Sequence, residues 1–352
     1  MVKNKIKVLV IDDSALAREI ISKGLSLDPD IEVVGTAMDV YVARDKIVYK
    51  KPDVLTLDIE MPKMDGLEFL KRLMPQYPLP VVIVSSMSAS GAKVTLEALE
   101  YGAVDFILKP SKKIGVGLSE MMRELIEKIK IAKEVDVSHW KNIVNLHILP
   151  DKSSRKILEE TTDKVIAIGA STGGTVAIAK IIENLPVDIP GVVIVQHMPP
   201  GFTMMFADKL NQTSKVEVKE AEDGDRIIRG RVLIAPGDYH MRVIRSGGHY
   251  LVKCEHGMKV NGHCPSVGVL FDSIAKNVGR NAIGIILTGM GKDGAEAMLN
   301  MRKAGARTIA QDEKSSIIFG MPREAYACGG AERLVNLNNI PGDIVKLCKE
   351  MR

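Results

Sequence analysis

KIKVLVIDDSALAREIISKGLSL, residues 5–27, is a strand followed at once by a helix, and its reading decides the fold. Residues 5–11 form an apolar run of the length and β-branched content of a strand buried on both faces. From 15 to 27 the apolar residues recur at helical spacing. The same beat returns at 31–37, 53–58, 80–85 and 104–108, with helical patterns at 39–50, 65–74, 91–101 and 117–132. Successive βα units predict a parallel sheet covered on both faces. The right-handed crossover rule then puts every strand's C-terminal end on one edge.

Further along, the beat resumes at Asp163. Strands are expected at 164–169, 191–197, 231–235 and 282–287, and helices at 173–184, 266–278, 293–304, 322–328 and 340–350. Alternating runs at 240–245 and 249–254 flank Gly247-Gly248 and predict a hairpin. Between the two halves, 133–163 mixes Lys, Glu, Asp and Ser without a clear period, although Ile143, Val144, Leu146 and Ile148 could still pack. The expected organisation is two doubly wound, parallel-sheet α/β domains, residues 1–130 and 163–350, joined by a linker at 131–162.

Composition bounds the function. The 352 residues are 46% apolar and 26% charged, enough for two ordinary globular domains. No run of apolar residues reaches membrane-spanning length, so no membrane insertion is expected. The chain enters its first strand directly, so no signal peptide is expected either. A net charge of +4 with interspersed signs speaks against nucleic acid. Cys254, Cys264, Cys328 and Cys348 lack C-x-x-C or zinc spacing and read as reduced, packed thiols of a cytoplasmic protein.

Two sets of chemistry-bearing residues fall at strand ends, where ligands of open α/β sheets bind. In the first half, Asp12 and Asp13 end the first strand, Asp58 the third, Ser85 the fourth and Lys109 the fifth. Three carboxylates brought close need a counter-charge, and an all-oxygen set suits Mg²⁺. A carboxylate beside such a cation and an ammonium can accept a phosphoryl group. A helix N-cap is the bland alternative for any single Asp here.

The second half offers Gly169-Ala170-Ser171-Thr172-Gly173, a G-x-S-x-G turn between strand and helix that would present the Ser171 hydroxyl. A phosphate cradle competes, but the spacing is not G-x-G-x-x-G and the P-loop Lys is missing. His197 ends an apolar strand on the same edge and is the expected base; Asp293, after the Gly-rich TGMGKDG, is the expected carboxylate partner. The Met290 amide and the Thr172 hydroxyl are candidates for an oxyanion hole. The chain order Ser, His, Asp differs from that of α/β-hydrolases.

Residues 1–130 resemble a response-regulator receiver domain. Residues 163–350, through GASTGG, QHMP, APGDYHM, PSVGVLF and LTGMGKDG, resemble the catalytic domain of chemotaxis protein-glutamate methylesterases, the CheB family. The resemblance implies a flavodoxin-like fold for the first domain and a Rossmann-like three-layer fold for the second. It implies Asp58 as phosphoacceptor, Asp12, Asp13, Asp58 and the Glu60 carbonyl as Mg²⁺ ligands, and Ser85, Phe106 and Lys109 as the phosphorylation switch. It implies Ser171 as nucleophile, His197 as base, Asp293 as its orienter and Met290 as oxyanion donor, with no cofactor for that triad. Implied partners are a histidine kinase as phosphodonor and methylated chemoreceptor helices, whose glutamyl γ-methyl esters are cleaved, with glutamine deamidation as related chemistry. Phosphorylation is expected to relieve inhibition of the esterase by the receiver. Where the family usually reads PSVD, this chain has Gly268; the three triad residues are untouched, and what is put in question is any substrate contact or supporting role of that Asp. Two rival readings are a receiver-controlled esterase or deamidase acting on a non-receptor protein, and a non-catalytic, phospho-dependent binding module.

Overall fold

The computed structural model describes residues 4–62, 64–109, 116–138 and 163–351. The chain divides into two compact units, residues 1–146 and 147–352.

In the first unit the order is β1 (Ile6–Ile11), α1 (Ala15–Ser26), β2 (Ile31–Ala37), α2 (Val40–Lys50), β3 (Val54–Asp58), α3 (Gly66–Gln76), β4 (Val81–Ser85), α4 (Ala89–Glu100), β5 (Asp105–Leu108) and α5 (Val116–Glu134). The strands pair in parallel in the order β2-β1-β3-β4-β5. Val8, Leu9 and Val10 in β1 are fully buried, as a strand covered by helices on both faces requires. Side chains of Ser14, Asp39, Asp65 and Ser88 cap α1 to α4 by accepting from free helix N–H groups. Ser14, not Asp13, takes the first cap, so the bland N-cap alternative does not account for Asp13.

The second unit comprises β6 (Val165–Ala170), α6 (Gly174–Ile182), β7 (Gly191–Gln196), α7 (Phe202–Thr213), β8 (Glu217–Glu220), β9 (Arg231–Ile234), β10 (Tyr239–Ser246), β11 (His249–His256), α8 (Val267–Asn277), β12 (Ala282–Ile286), α9 (Ala295–Lys303), β13 (Arg307–Gln311), α10 (Met321–Ala327), β14 (Arg333–Val335) and α11 (Ile340–Glu350). Seven strands form a parallel sheet in the order β14-β13-β12-β6-β7-β9-β8, and β10 and β11 form the expected hairpin. The chain winds from β6 toward β8, then returns to lay β12, β13 and β14 on the other side. That reversal makes the boundary between β6 and β12 the switch point at which such sheets open a crevice.

Above this sheet, Met241, Val243 and Val252 of the hairpin pack with Leu270, Phe271 and Ile274 of α8 in one apolar cluster. The Ser273 hydroxyl, accepting from Val243 N–H at 2.9 Å, and the Asn277 amide, donating to Val243 O at 2.9 Å, join hairpin to helix. Phe271 is completely buried, and truncating such a residue to Ala costs about 3–5 kcal/mol.

The structure adds four elements to the sequence expectation: α7, β8, β13 and β14. Residues 131–134, expected in the linker, are the end of α5, while 139–162 lie outside the described residues, together with Ile143, Val144, Leu146 and Ile148. None of the four cysteines is in a disulfide, but Cys328 is exposed rather than packed.

Candidate functional site

The acidic pocket of the first unit forms because β1, β3 and β5 end at one level. Asp58 is the last residue of β3, and Lys109 follows β5, its N–H donating to Ser85 O at 2.7 Å. Lys109 Nζ lies 2.9 Å from Asp12 Oδ2 and 2.7 Å from Asp58 Oδ2. Asp12 and Asp58 are buried and Asp13 is exposed, yet one oxygen from each lies within 4.8 Å of the others. Burial pushes the Asp58 carboxyl above its ordinary value against the pull of Lys109, and Asp12 adds to the rise. Burial alone would lower the Lys109 ammonium, but the two carboxylates hold it above its usual value. Asp12 Oδ2 is buried with the Lys109 ammonium, 2.9 Å away, as its partner. One ammonium among three carboxylates leaves negative charge in excess, and such an all-oxygen set fits a hard divalent cation.

Around this pocket, Glu60 N–H donates to Asp58 Oδ1 at 3.1 Å, and the Glu60 carboxylate accepts from the Ser88 hydroxyl at 3.0 Å. Ser85, fully buried, accepts from the Thr95 hydroxyl at 2.7 Å, and no hydrogen bond joins it to Asp58. Phe106 is buried, with Lys128 Nζ 5.4 Å from its ring centre.

In the second unit, Ser171 and His197 leave neighbouring strands. The pairing of β6 with β7 sets Ala170 opposite Gln196, and His197 N–H donates to Ala170 O at 3.1 Å. The turn after Ser171 is tight: Gly174 N–H donates to Ser171 O at 2.7 Å, and Gly173 caps α6 at φ 75°, a left-handed conformation that favours glycine. Ser171 N–H donates to Thr288 O at 3.1 Å, fastening the turn to the segment after β12. There the backbone of Gly289 comes so close that a Cβ would stand 2.7 Å from Ser171 Cβ. Thr288 is held in turn by Gln311, whose Oε1 accepts Thr288 N–H at 2.8 Å, and its hydroxyl donates to Thr172 O at 3.0 Å. Met290, next along, is 42% exposed, and its amide N–H makes no hydrogen bond among the described residues, whereas Thr172 is buried.

His197 and Asp293 meet: Nε2 lies 2.9 Å from Asp293 Oδ2. Gly294, not Asp293, is the N-cap of α9, so the bland alternative does not explain this Asp. The Asp293 carboxylate also accepts from Asn261 Nδ2 at 2.9 Å, Ser266 Oγ at 2.8 Å, Val267 N at 2.7 Å and Gly268 N at 3.2 Å. Burial would raise its pKa, but the bond and charge of His197, with Asn261 and Ser266, hold it well below the usual carboxylate range. An ionised Asp293 requires the proton of His197 on Nε2. That leaves Nδ1, buried and without a hydrogen-bond partner, carrying a lone pair. No hydrogen bond joins Ser171 Oγ to this ring; such bonds often tighten only once substrate is bound.

Two features were not read from the sequence, and a third, Gly268, was read only as a departure from the family. Gln196, buried, donates from Nε2 to Ser171 O at 3.0 Å and to His197 O at 3.2 Å, tying the two turns together. The His263 ring stacks on His197, with centres 3.6 Å apart and planes 9° from parallel. At Gly268 a Cβ would stand 3.1 Å from Asp293 Oδ1, so the departure from PSVD borders the Asp293 carboxylate. The one available signal was Ser266 at the start of an expected helix, as an N-cap.

Known proteins share this architecture. The family model described as CheB methylesterase matches residues 166–344, and that of the response regulator receiver domain matches residues 8–116. A protein-glutamate methylesterase/protein-glutamine glutaminase of Syntrophotalea carbinolica is 61% identical over 351 residues, 99% of each chain. The one of Sulfurimonas denitrificans is 53% identical over 357 residues, again 99% of each chain. The solved CheB methylesterase catalytic domain of Thermotoga maritima is 38% identical, with a TM-score of 0.52, and covers 53% of this chain and 100% of that one. With a receiver domain followed by a seven-stranded parallel α/β domain, and relatives of this identity along its whole length, the chain belongs to the CheB methylesterase family.

Proposed function

We propose that this protein hydrolyses glutamyl γ-methyl esters on chemoreceptor helices, releasing methanol, with Ser171 as nucleophile, His197 as base and Asp293 as its orienter. The observation that carries the reading is the ionised Asp293 bonded at 2.9 Å to a His197 that leaves its strand beside Ser171. Ser171 Oγ attacks the ester carbonyl carbon, and its proton passes to His197 Nδ1. Asp293 steadies the imidazolium through Nε2. The tetrahedral oxyanion takes the Met290 N–H, with Thr172 beside it as the second candidate donor; one such donor is worth about 2.7–4 kcal/mol. Collapse breaks the carbon–methoxy bond, and the departing oxygen takes the proton from Nδ1 as methanol. Water then attacks the acyl-serine, giving one proton to Nδ1; the carbon–Oγ bond breaks as Nδ1 returns that proton to Ser171 Oγ, and the glutamic acid product loses its own proton to solvent. A glutamine side chain follows the same steps with ammonia leaving, in keeping with the second activity in the names of the relatives.

Control comes from the receiver. Asp58 accepts a phosphoryl group from a phosphohistidine of a histidine kinase: its carboxylate oxygen forms the new bond to phosphorus as the bond to the histidine nitrogen breaks. Asp12, Asp13 and Asp58 with the Glu60 carbonyl would hold Mg²⁺, which when bound would neutralise phosphoryl oxygens. Lys109 pairs with a further oxygen, and Ser85 and Phe106 are the residues through which the change spreads. Phosphorylation at Asp58 then raises esterase activity. Among the described residues no helix is long and apolar enough to cross a membrane. We place the protein in the cytoplasm because both of its proposed partners act there, and nucleic acid is not among them.

Of the two rival readings, the binding module is disfavoured by the family, and a non-receptor substrate is disfavoured by the whole-length relatives. The test is methanol release from a methylated receptor fragment, with and without a small phosphodonor. Release that rises with the phosphodonor is expected; no release under either condition overturns the reading.

A further inference from the structure

The Asp293 carboxylate is held from a side that His197 does not occupy. Asn261 and Ser266 donate to Oδ1 at 2.9 and 2.8 Å, Gly268 N–H to the same oxygen at 3.2 Å, and Val267 N–H to Oδ2 at 2.7 Å. Val267 and Gly268 open α8, so two otherwise unsatisfied helix N–H groups point at this anion. Ser266 is the N-cap of that helix and is fully buried. Asn261 stands in the exposed loop between β11 and α8, at φ 52°. None of these groups reaches the reacting atoms, yet four of the five donors to the carboxylate come from this one segment.

We propose that Asn261, Ser266 and the first turn of α8 form a clamp that fixes the direction of the Asp293 carboxylate and limits how strongly it holds a proton on His197. Asn261 and Ser266 are positioning residues, and this inference rests on the reading of Ser171, His197 and Asp293 as a triad. The physics is one of shared charge: an anion that answers four other donors has less attraction to spare for an imidazolium. Remove one donor, and the carboxylate's charge falls more heavily on His197. The imidazolium is then favoured, and the base becomes available only at higher pH. Among the described residues the titratable groups in contact with the His197 ring are Asp293, on the segment after β12, and His263, stacked on it from the segment after β11. Substitutions at Asn261 and Ser266 replace neither of these groups.

The experiment uses the full chain with a phosphodonor and a methylated receptor fragment, and follows kcat/KM against pH. The ring titration of His197 is followed in parallel by NMR on labelled protein without substrate. Asn261→Gly removes one donor and suits the left-handed backbone of that exposed loop. Ser266→Ala removes the other, and Ser266→Thr keeps a hydroxyl as the conservative control. Each loss is expected to move the acid limb up by about half a pH unit to one unit, with the ring titration moving in step. Ser266→Thr should return most of the shift. A limb and ring titration that stay put while kcat falls overturn the proposal and leave a structural role. A limb that moves to lower pH overturns it too, since the carboxylate has then left His197. If Ser266→Ala fails to fold, Asn261→Gly decides. Should the unsubstituted chain release no methanol, the triad reading fails, while the ring titration still decides the clamp.

Discussion

The two strand-end sites answer the same problem, buried negative charge, in opposite ways. In the first unit the Asp12 and Asp58 carboxylates share a single Lys109, and Asp13 brings a third carboxylate to the same place. In the second, one carboxylate, Asp293, is surrounded by the chain's own donors. The first site is therefore electrostatically incomplete and suited to taking in a cation and a phosphoryl group. The second is complete and preorganised, as a site needs to be that stabilises charge appearing and vanishing within one turnover. The proposed sensing and catalytic sites thus differ less in fold, both being edges of parallel sheets, than in how far the protein balances its own charges.

The comparison breaks most sharply on Ser171→Ala. Methanol release should fall by about 10⁴-fold or more, while incorporation of phosphoryl label at Asp58 is unchanged; loss of both would mean the two sites are not independent. Asp293→Asn should lower kcat by about 10⁴-fold at neutral pH, because an amide can no longer keep the proton on Nε2. A smaller effect is expected for Gly289→Ala, whose Cβ must push against Ser171 Cβ at 2.7 Å. A shift of the nucleophile by up to about 1 Å should cost up to about 10²-fold in kcat with phosphorylation intact. Chelation by EDTA sharpens the contrast from the other side. Phosphorylation at Asp58 should stop, and esterase activity should stay at its unstimulated level rather than vanish.

The smallest expected effect concerns stability. The folded-state pKa of Asp293 is depressed, so its contribution is present above the unfolded value, about 3.9, and is lost as pH falls from there toward the folded one. Urea unfolding of the second unit should show no loss from this group between pH 7 and 5. Below about pH 4 the midpoint should fall, and Asp293→Asn should lack that part of the fall.

How much was legible follows from where each signal lies. The strands of the βα beat announced themselves because strands buried on both faces must be continuously apolar, as VLVI in β1 and GVVIV in β7 are. β13, RTIAQ, did not, because it carries polar residues into the interior. Thr308 and Gln311 are fully buried, satisfied by Gly330 O and by Thr288 N–H and Ser315 O. β8, EVKE, is an edge strand and is charged as edges are, so it reads as loop.

By itself, then, the sequence determined that two parallel sheets would form, and that Asp58, Ser171 and His197 would stand at strand ends, because hydrophobic period and chain reversal fix those positions locally. Only tertiary structure decided what surrounds them. Four of the five donors on Asp293 lie 25 to 32 residues before it along the chain and reach it through the docking of α8 beside β12, while the fifth, His197, lies 96 residues before it. Spacing along a chain carries no record of which distant N–H will meet which carboxylate. That choice belongs to packing, in which a buried charge must find its partners or the fold is not stable.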